Sequence, residues 1–222
     1  MSLNSPRKAY EAQLTELNET LLSMSRAAED MLRKALVALA DRDVPLADEA
    51  IRDDDRVDAY NRDIEDRCLK LIATQQPAAR DLRTIIAALG ITTDVERVGD
   101  YAVDIAKTAK RLADKPLFKP LVDIPRMADI VRDMLERAID SFITRDLKLV
   151  QAMIEMDDEV DHLYKYLHEE LVGFMKKDPE LIEQAVQLLL IARYLERVAD
   201  HITNIGERVY YVETGELREL HQ

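Results

Sequence analysis

Apolar residues recur at Tyr10, Leu14, Leu17, Leu21, Met24, Ala28, Met31, Ala35 and Ala38, in alternating steps of four and three. That spacing keeps one seam on one side of a helix, as in helices packed into a left-handed bundle. It predicts a first helix over about residues 6–42, opened by Ser5-Pro6, a capping hydroxyl followed by a ring suited to the first turn. Pro45 opens a second helix, about 45–75, with Val57, Tyr60, Ile64, Cys68 and Leu71 inward, and Gln75-Gln76-Pro77 interrupts it. A third helix, about 78–114, carries Val95, Val98, Ala102, Ile105 and Ala109 as its apolar stripe. Lys115-Pro116-Leu117-Phe118-Lys119-Pro120, followed by Pro125, reads as a linker because proline cannot continue a helix. Helices over about 124–145, 147–176 and 179–213 follow, with Lys177-Asp178-Pro179 as a turn and Gly215 near the last stop.

The polar side of the third helix has an order of its own. At ~100° per residue, Glu96, Asp100 and Asp104 fall within an arc of roughly 80°, about opposite the apolar stripe, so they are expected to point away from the core. The same motif returns near the other end of the chain: Glu96-Arg97-Val98-Gly99-Asp100 is matched by Glu196-Arg197-Val198-Ala199-Asp200, with Asn204 in the place of Asp104. Asp43, Leu46, Ala50 and Ile51 likewise match Asp146, Leu149, Met153 and Ile154, and Asp54-Asp55-Arg56-Val57-Asp58 matches Asp157-Asp158-Glu159-Val160-Asp161. A period near 100 residues is too long for a solenoid. The expected fold is therefore all-α, two tandem three-helix bundles from a duplicated unit, over 1–115 and 116–222.

The duplication exposes a second acidic pair in each repeat. Asp58 lies 19 positions before Pro77 and Glu96 lies 19 after it, so an antiparallel hairpin sets them at one level, with Asp54 level with Asp100. Asp161 and Glu196 are balanced in the same way about the second turn. Stacked like charges cost a few tenths of a kcal/mol per pair, so four such pairs suggest a cation; the alternative is a solvated acidic face, eased by Lys107 and Arg111. The candidate metal ligands are Asp54, Asp58, Glu96, Asp100 and Asp104 in the first repeat, and Asp157, Asp161, Glu196, Asp200 and Asn204 in the second. Oxygen donors suit Mg²⁺, Mn²⁺ or iron, and bridging carboxylates can hold more than one ion. His168 is a possible nitrogen donor in the second repeat, and Asn204 suggests weaker binding there. A ferritin-like di-iron core needs Glu-x-x-His on two helices, and only Glu159-Val160-Asp161-His162 fits.

Composition narrows the function classes. Five glycines, no tryptophan and 34% charged residues suit a helical protein, and a formal charge of −13 argues against nucleic acid or an anionic membrane as the main partner. The lone Cys68 rules out an intramolecular disulfide, and no apolar run approaches 18 residues, so a cytoplasmic protein without membrane insertion is expected. Acidic faces also argue against direct phosphate binding unless a metal bridges it.

Leu71 through Gln75-Gln76-Pro77-Ala78-Ala79-Arg80-Asp81-Leu82-Arg83, the Asp94 to Asp100 motif, the paired acids and the closing Arg208-Val209-Tyr210-Tyr211-Val212-Glu213-Thr214-Gly215-Glu216 together resemble the PhoU family over essentially the whole chain. The resemblance implies a cytoplasmic negative regulator of phosphate uptake and of the phosphate-starvation response. It implies action between the ATP-binding subunit of the phosphate ABC transporter and a sensor histidine kinase, as well as multinuclear clusters of iron or zinc on the acidic motifs. The expected partners are those two proteins and a second copy of the chain. A metal-dependent hydrolase is the alternative, since two ions can activate water. No Ser-His-Asp, Cys-His, phosphate-loop or dinucleotide signature accompanies the acids.

Overall fold

Asp43 and Asp146 occupy matching places in the two repeats and start matching helices. Asp43 accepts a hydrogen bond from the Leu46 amide and Asp146 from the Lys148 amide, each at 2.9 Å, supplying the acceptor that a helix N-terminus lacks. Arg42 and Arg145, just before them, close the preceding helices in a left-handed conformation with φ of 57° and 64°. The computed structural model describes residues 6–216 and 218–220, so the Ser5 cap lies outside the described residues. Within that range the helices are α1 (Pro6–Asp41), α2 (Val44–Arg52), α3 (Asp54–Gln75), α4 (Arg80–Leu112), α5 (Asp123–Thr144), α6 (Leu147–Lys177) and α7 (Ile182–Thr214), with a 3-10 turn, Pro179–Leu181, before the last. No strand occurs among the described residues.

The second helix departs from expectation by breaking at Asp53 into α2 and α3. Lys34 of α1 holds the Asp53 carboxylate at 2.5 Å, and Asp54 and Asp55 follow in the first turn of α3, where the helix dipole favours negative charge. In α6 the matching position is Met156, half-buried against the core, and the helix runs through without a break.

Two of the helices are central. α4 packs on α1, α2 and α3 on one side and on α7 on the other, while α7 also packs on α5 and α6. They run antiparallel: Arg83 of α4 reaches the Val212 carbonyl at one end, and Tyr101 lies 5.9 Å from the Tyr194 ring further along. A single apolar core runs through both bundles, from Leu17 and Met24 of α1 through Ile91 and Val98 to Ile191, Ile202 and Phe142. The linker is fastened to the second bundle. The Phe118 amide donates to Gln184 Oε1 at 2.7 Å, its ring meets the edge of Phe174 at 5.1 Å, and Lys119 pairs with Glu170. Gly215 ends α7 at φ 79°, a conformation that favours glycine.

Candidate functional site

In the first repeat the hairpin levels are those expected. The Asn61 side-chain amide donates to Glu96 Oε2 at 2.8 Å, and Asp54 Oδ1 lies 3.6 Å from where a Cβ on Gly99 would stand. Burial, then Asp58 and Asp100, pushes the Asp54 carboxyl above its usual range; burial, then Asp100, does the same to Glu96. The compensating cations are few and peripheral: Arg97 holds Asp100 at 2.7 Å, and Arg62 stands 3.7 Å from Asp58. Asp104 is not drawn into this group. It stands 4.0 Å from Lys107, and after burial it is the next cause that raises the Tyr194 hydroxyl of α7, so it faces the contact between repeats.

In the second repeat Asp157, Asp161, Glu196, Asp200 and Asn204 line one groove of about 650 Å³, walled at its end by Leu220. Burial, followed by Asp200, raises the Glu196 carboxyl. Arg193 pairs with its Oε1, Arg197 holds Asp200 at 2.8 Å and Lys165 holds Asp161 at 3.2 Å. The rows therefore do not simply face solvent, as a single apolar stripe suggested. α4 and α7 are buried on two sides, and the acids occupy the narrow arc that remains; Glu196 keeps only 12% of its side chain exposed. His168 is fully outside this groove, exposed beside Tyr164, while His201 lines it. Glu159 pairs with Arg126, and His162 meets the Asp158 carbonyl, so the Glu-x-x-His run forms no site.

Sequence reasoning missed Asp94. Its carboxylate, 6% exposed, lies at the contact of α4 with α7, where Arg208 Nε donates at 2.9 Å, His201 Nδ1 stands at 3.1 Å and Asn204 Nδ2 donates at 3.3 Å. Asn204 thus lines the acidic groove and also ties the repeats together. Gly90 makes the reach of Arg208 possible, since a Cβ there would fall 2.2 Å from Arg208 Nη1. The available signal was the placement of a charge between the apolar positions Ile91, Val95 and Val98, which a helical wheel sets at the edge of the core.

The residues fit a cation by donor chemistry. Glu196 Oε2 is buried without a hydrogen-bond partner, and Asp54, Glu96 and Glu196 all carry raised carboxyl pKa values from burial and neighbouring acids. Among the described residues, no three His, Cys, Asp or Glu side chains form a closed chelate as they stand; the acids are stacked pairs.

A family model described as the PhoU domain matches residues 21–109 and again 124–209. The chain belongs to the PhoU family. Its relatives include a "phosphate-specific transport system accessory protein PhoU homolog" of Clostridium acetobutylicum, 38% identical over 96% of this chain and 98% of the relative. A protein of the same description from Aquifex aeolicus is 41% identical over 92% of this chain and 93% of its own length. The crystal structure of PhoU from Pseudomonas aeruginosa superimposes with a TM-score of 0.88 at 33% identity, covering 93% of this chain and 100% of that one. The phosphate transport system regulatory protein PhoU from Streptococcus pneumoniae gives 0.88 at 32% identity, over 95% and 99%. The double match agrees with two tandem PhoU repeats, each carrying one of the acidic rows.

Proposed function

We propose that this protein is a cytoplasmic accessory regulator of phosphate transport, restraining uptake and phosphate-starvation signalling. It links the ATP-binding subunit of the phosphate ABC transporter to a phosphate-sensing histidine kinase. The observation that carries the reading is the match to accessory-protein relatives over nearly the whole chain, in both repeats. Among the described residues no helix is long and apolar enough to cross a membrane, which agrees with a protein that reaches the transporter from outside the bilayer.

The acidic rows hold divalent metal in this reading, iron, zinc, manganese or magnesium. Asp54, Asp58, Glu96 and Asp100 would serve the first repeat, and Asp157, Asp161, Glu196 and Asp200 the second, with Asp104 and Asn204 at the ends nearest the other repeat. A bound cation would neutralise mutually repelling carboxylates and present a positive surface for partner acids. The first row, with Asp58 and Asp100 exposed, suits docking better than enclosed chemistry. Pull-down from membranes of phosphate-replete cells is expected to recover the transporter ATPase or the kinase, and repeated recovery of neither would overturn the adaptor. Turnover on a panel of phosphoesters, lost in Glu96→Gln/Asp100→Asn, would instead favour the hydrolase.

A further inference from the structure

The acids outnumber the basic residues in this chain, but three of its arginines meet at one corner. Tyr10 of α1, Arg80, Arg83 and Thr84 at the start of α4, Arg145 after α5, and Glu213 at the end of α7 converge where the two repeats meet. Arg145 Nη2 donates to Thr84 Oγ1 at a long 3.4 Å, and its Nε stands 3.9 Å from Glu213, beyond hydrogen-bond reach. The guanidinium lies over the Phe142 ring at 4.6 Å. Its Nη1 is buried with no hydrogen-bond partner, and the Tyr10 hydroxyl is buried and unpartnered as well.

Both orphaned groups are donors, and a buried donor left without a partner is destabilising. Glu213 is already held by Arg80 through both carboxylate oxygens, and Arg83 reaches the Val212 carbonyl at 3.3 and 3.4 Å. Asp81, the other acid here, acts on Tyr10. Three guanidiniums against two carboxylates leave an excess positive charge. A water molecule would satisfy the donors but leave that charge in place; an anion would do both. The first repeat gives the contrast. Arg42 has the same left-handed backbone at the same junction, yet its side chain is exposed.

We propose that this corner binds a small oxyanion of the phosphate or sulfate type, with Arg145 Nη1 and the Tyr10 hydroxyl as donors and Arg80 and Arg83 supplying field. Donors arriving from separate helices suit a tetrahedral oxyanion better than a flat carboxylate. The site stands apart from the metal rows and does not depend on them.

The test uses the full chain in chelator, so that the acidic rows play no part, with inorganic phosphate titrated against chloride at matched ionic strength. The parent is expected to show a saturable rise in melting temperature and a calorimetric binding signal, with sulfate competing. Arg145→Gly removes the guanidinium while suiting φ 64° and should weaken binding by about tenfold or more. Tyr10→Phe should weaken it several-fold, and Arg42→Gly should leave it unchanged. A parent indifferent to phosphate, or saturable binding that survives Arg145→Gly, would overturn the proposal.

Discussion

The two acidic rows share a motif but differ in how their charge is answered. In the first repeat Glu96 meets a neutral amide from Asn61, and Asp54 feels four other carboxylates. Asp100 and Asp58 have Arg97 and Arg62, as Asp200 and Asp161 have Arg197 and Lys165, but in the second repeat Glu196 also pairs, with Arg193, and is nearly buried, while Asp200 keeps 29% of its side chain exposed against 43% for Asp100. Position 93 is threonine where position 193 is arginine, and that single difference supplies the cation on Glu196. A row can thus be relieved internally, by an arginine, or externally, by a metal. On the proposed metal reading, the first row, where Glu96 has only a neutral amide, is the one that gains more from an external ion.

The contact between the rows offers the strongest test. Asp94→Ala strips Arg208 and His201 of a buried partner and should cost about 3 kcal/mol, read as a lower urea midpoint. The matching change Tyr194→Phe should cost well under that, and equal losses would remove the distinction. Next comes metal. Removing it with chelator should destabilise the parent by about 2.7 kcal/mol when metal stands near a hundred times its dissociation constant. Glu96→Gln/Asp100→Asn should abolish the tighter part of that response and Glu196→Gln/Asp200→Asn the weaker part. A parent indifferent to chelator and added metal would leave both rows as solvated faces.

The bundle architecture, the hairpin levels and the pairing of Asp58 with Glu96 were legible because helical periodicity and loop position determine which residues share a face and a height. The break at Asp53 was not, because it depends on Lys34 from another helix. Asp94 was hidden for a related reason. Its partners lie 107 to 114 residues away on α7, and periodicity within one bundle says nothing of how two bundles meet. Nothing in the sequence singles out Arg145, since it occupies the place that Arg42, whose side chain is exposed, has in the first repeat.

A smaller effect tests how Asp94 is reached. Gly90→Ala gains helix propensity, about 1 kcal/mol, but drives Arg208 off Asp94, for a net loss of about 1 kcal/mol. Its cost should vanish in an Arg208→Ala background; full additivity would mean that Gly90 serves something else. The smallest effect is in pH. Burial, then Asp200, raises the Glu196 carboxyl above 4.5 in the folded chain, so just above pH 4.5 the folded state holds more protons than the unfolded. Its contribution therefore falls as pH rises through that window, and metal-free protein should gain stability from it on acidification. Subtracting melts of Glu196→Gln from those of the parent across pH 4.5–7 isolates the contribution of this carboxyl, and a flat difference would deny the shift.

Placing both copies in one chain has a consequence at Asp94. In a complex of two identical chains about a two-fold axis, every contact is made twice and each position must suit its own mirror. Position 94 of one copy would then meet the counterpart of position 104 in the other, an aspartate against an aspartate at a buried crossing. Fusion lifts that constraint. Asp94 faces Asn204, an amide that donates to it at 3.3 Å, while Asp104 faces the hydroxyl-bearing Tyr194. The residue that breaks the acidic pattern of the second row is thus a donor to Asp94, and the two repeats differ in sequence at the point where identity would set two negative charges face to face.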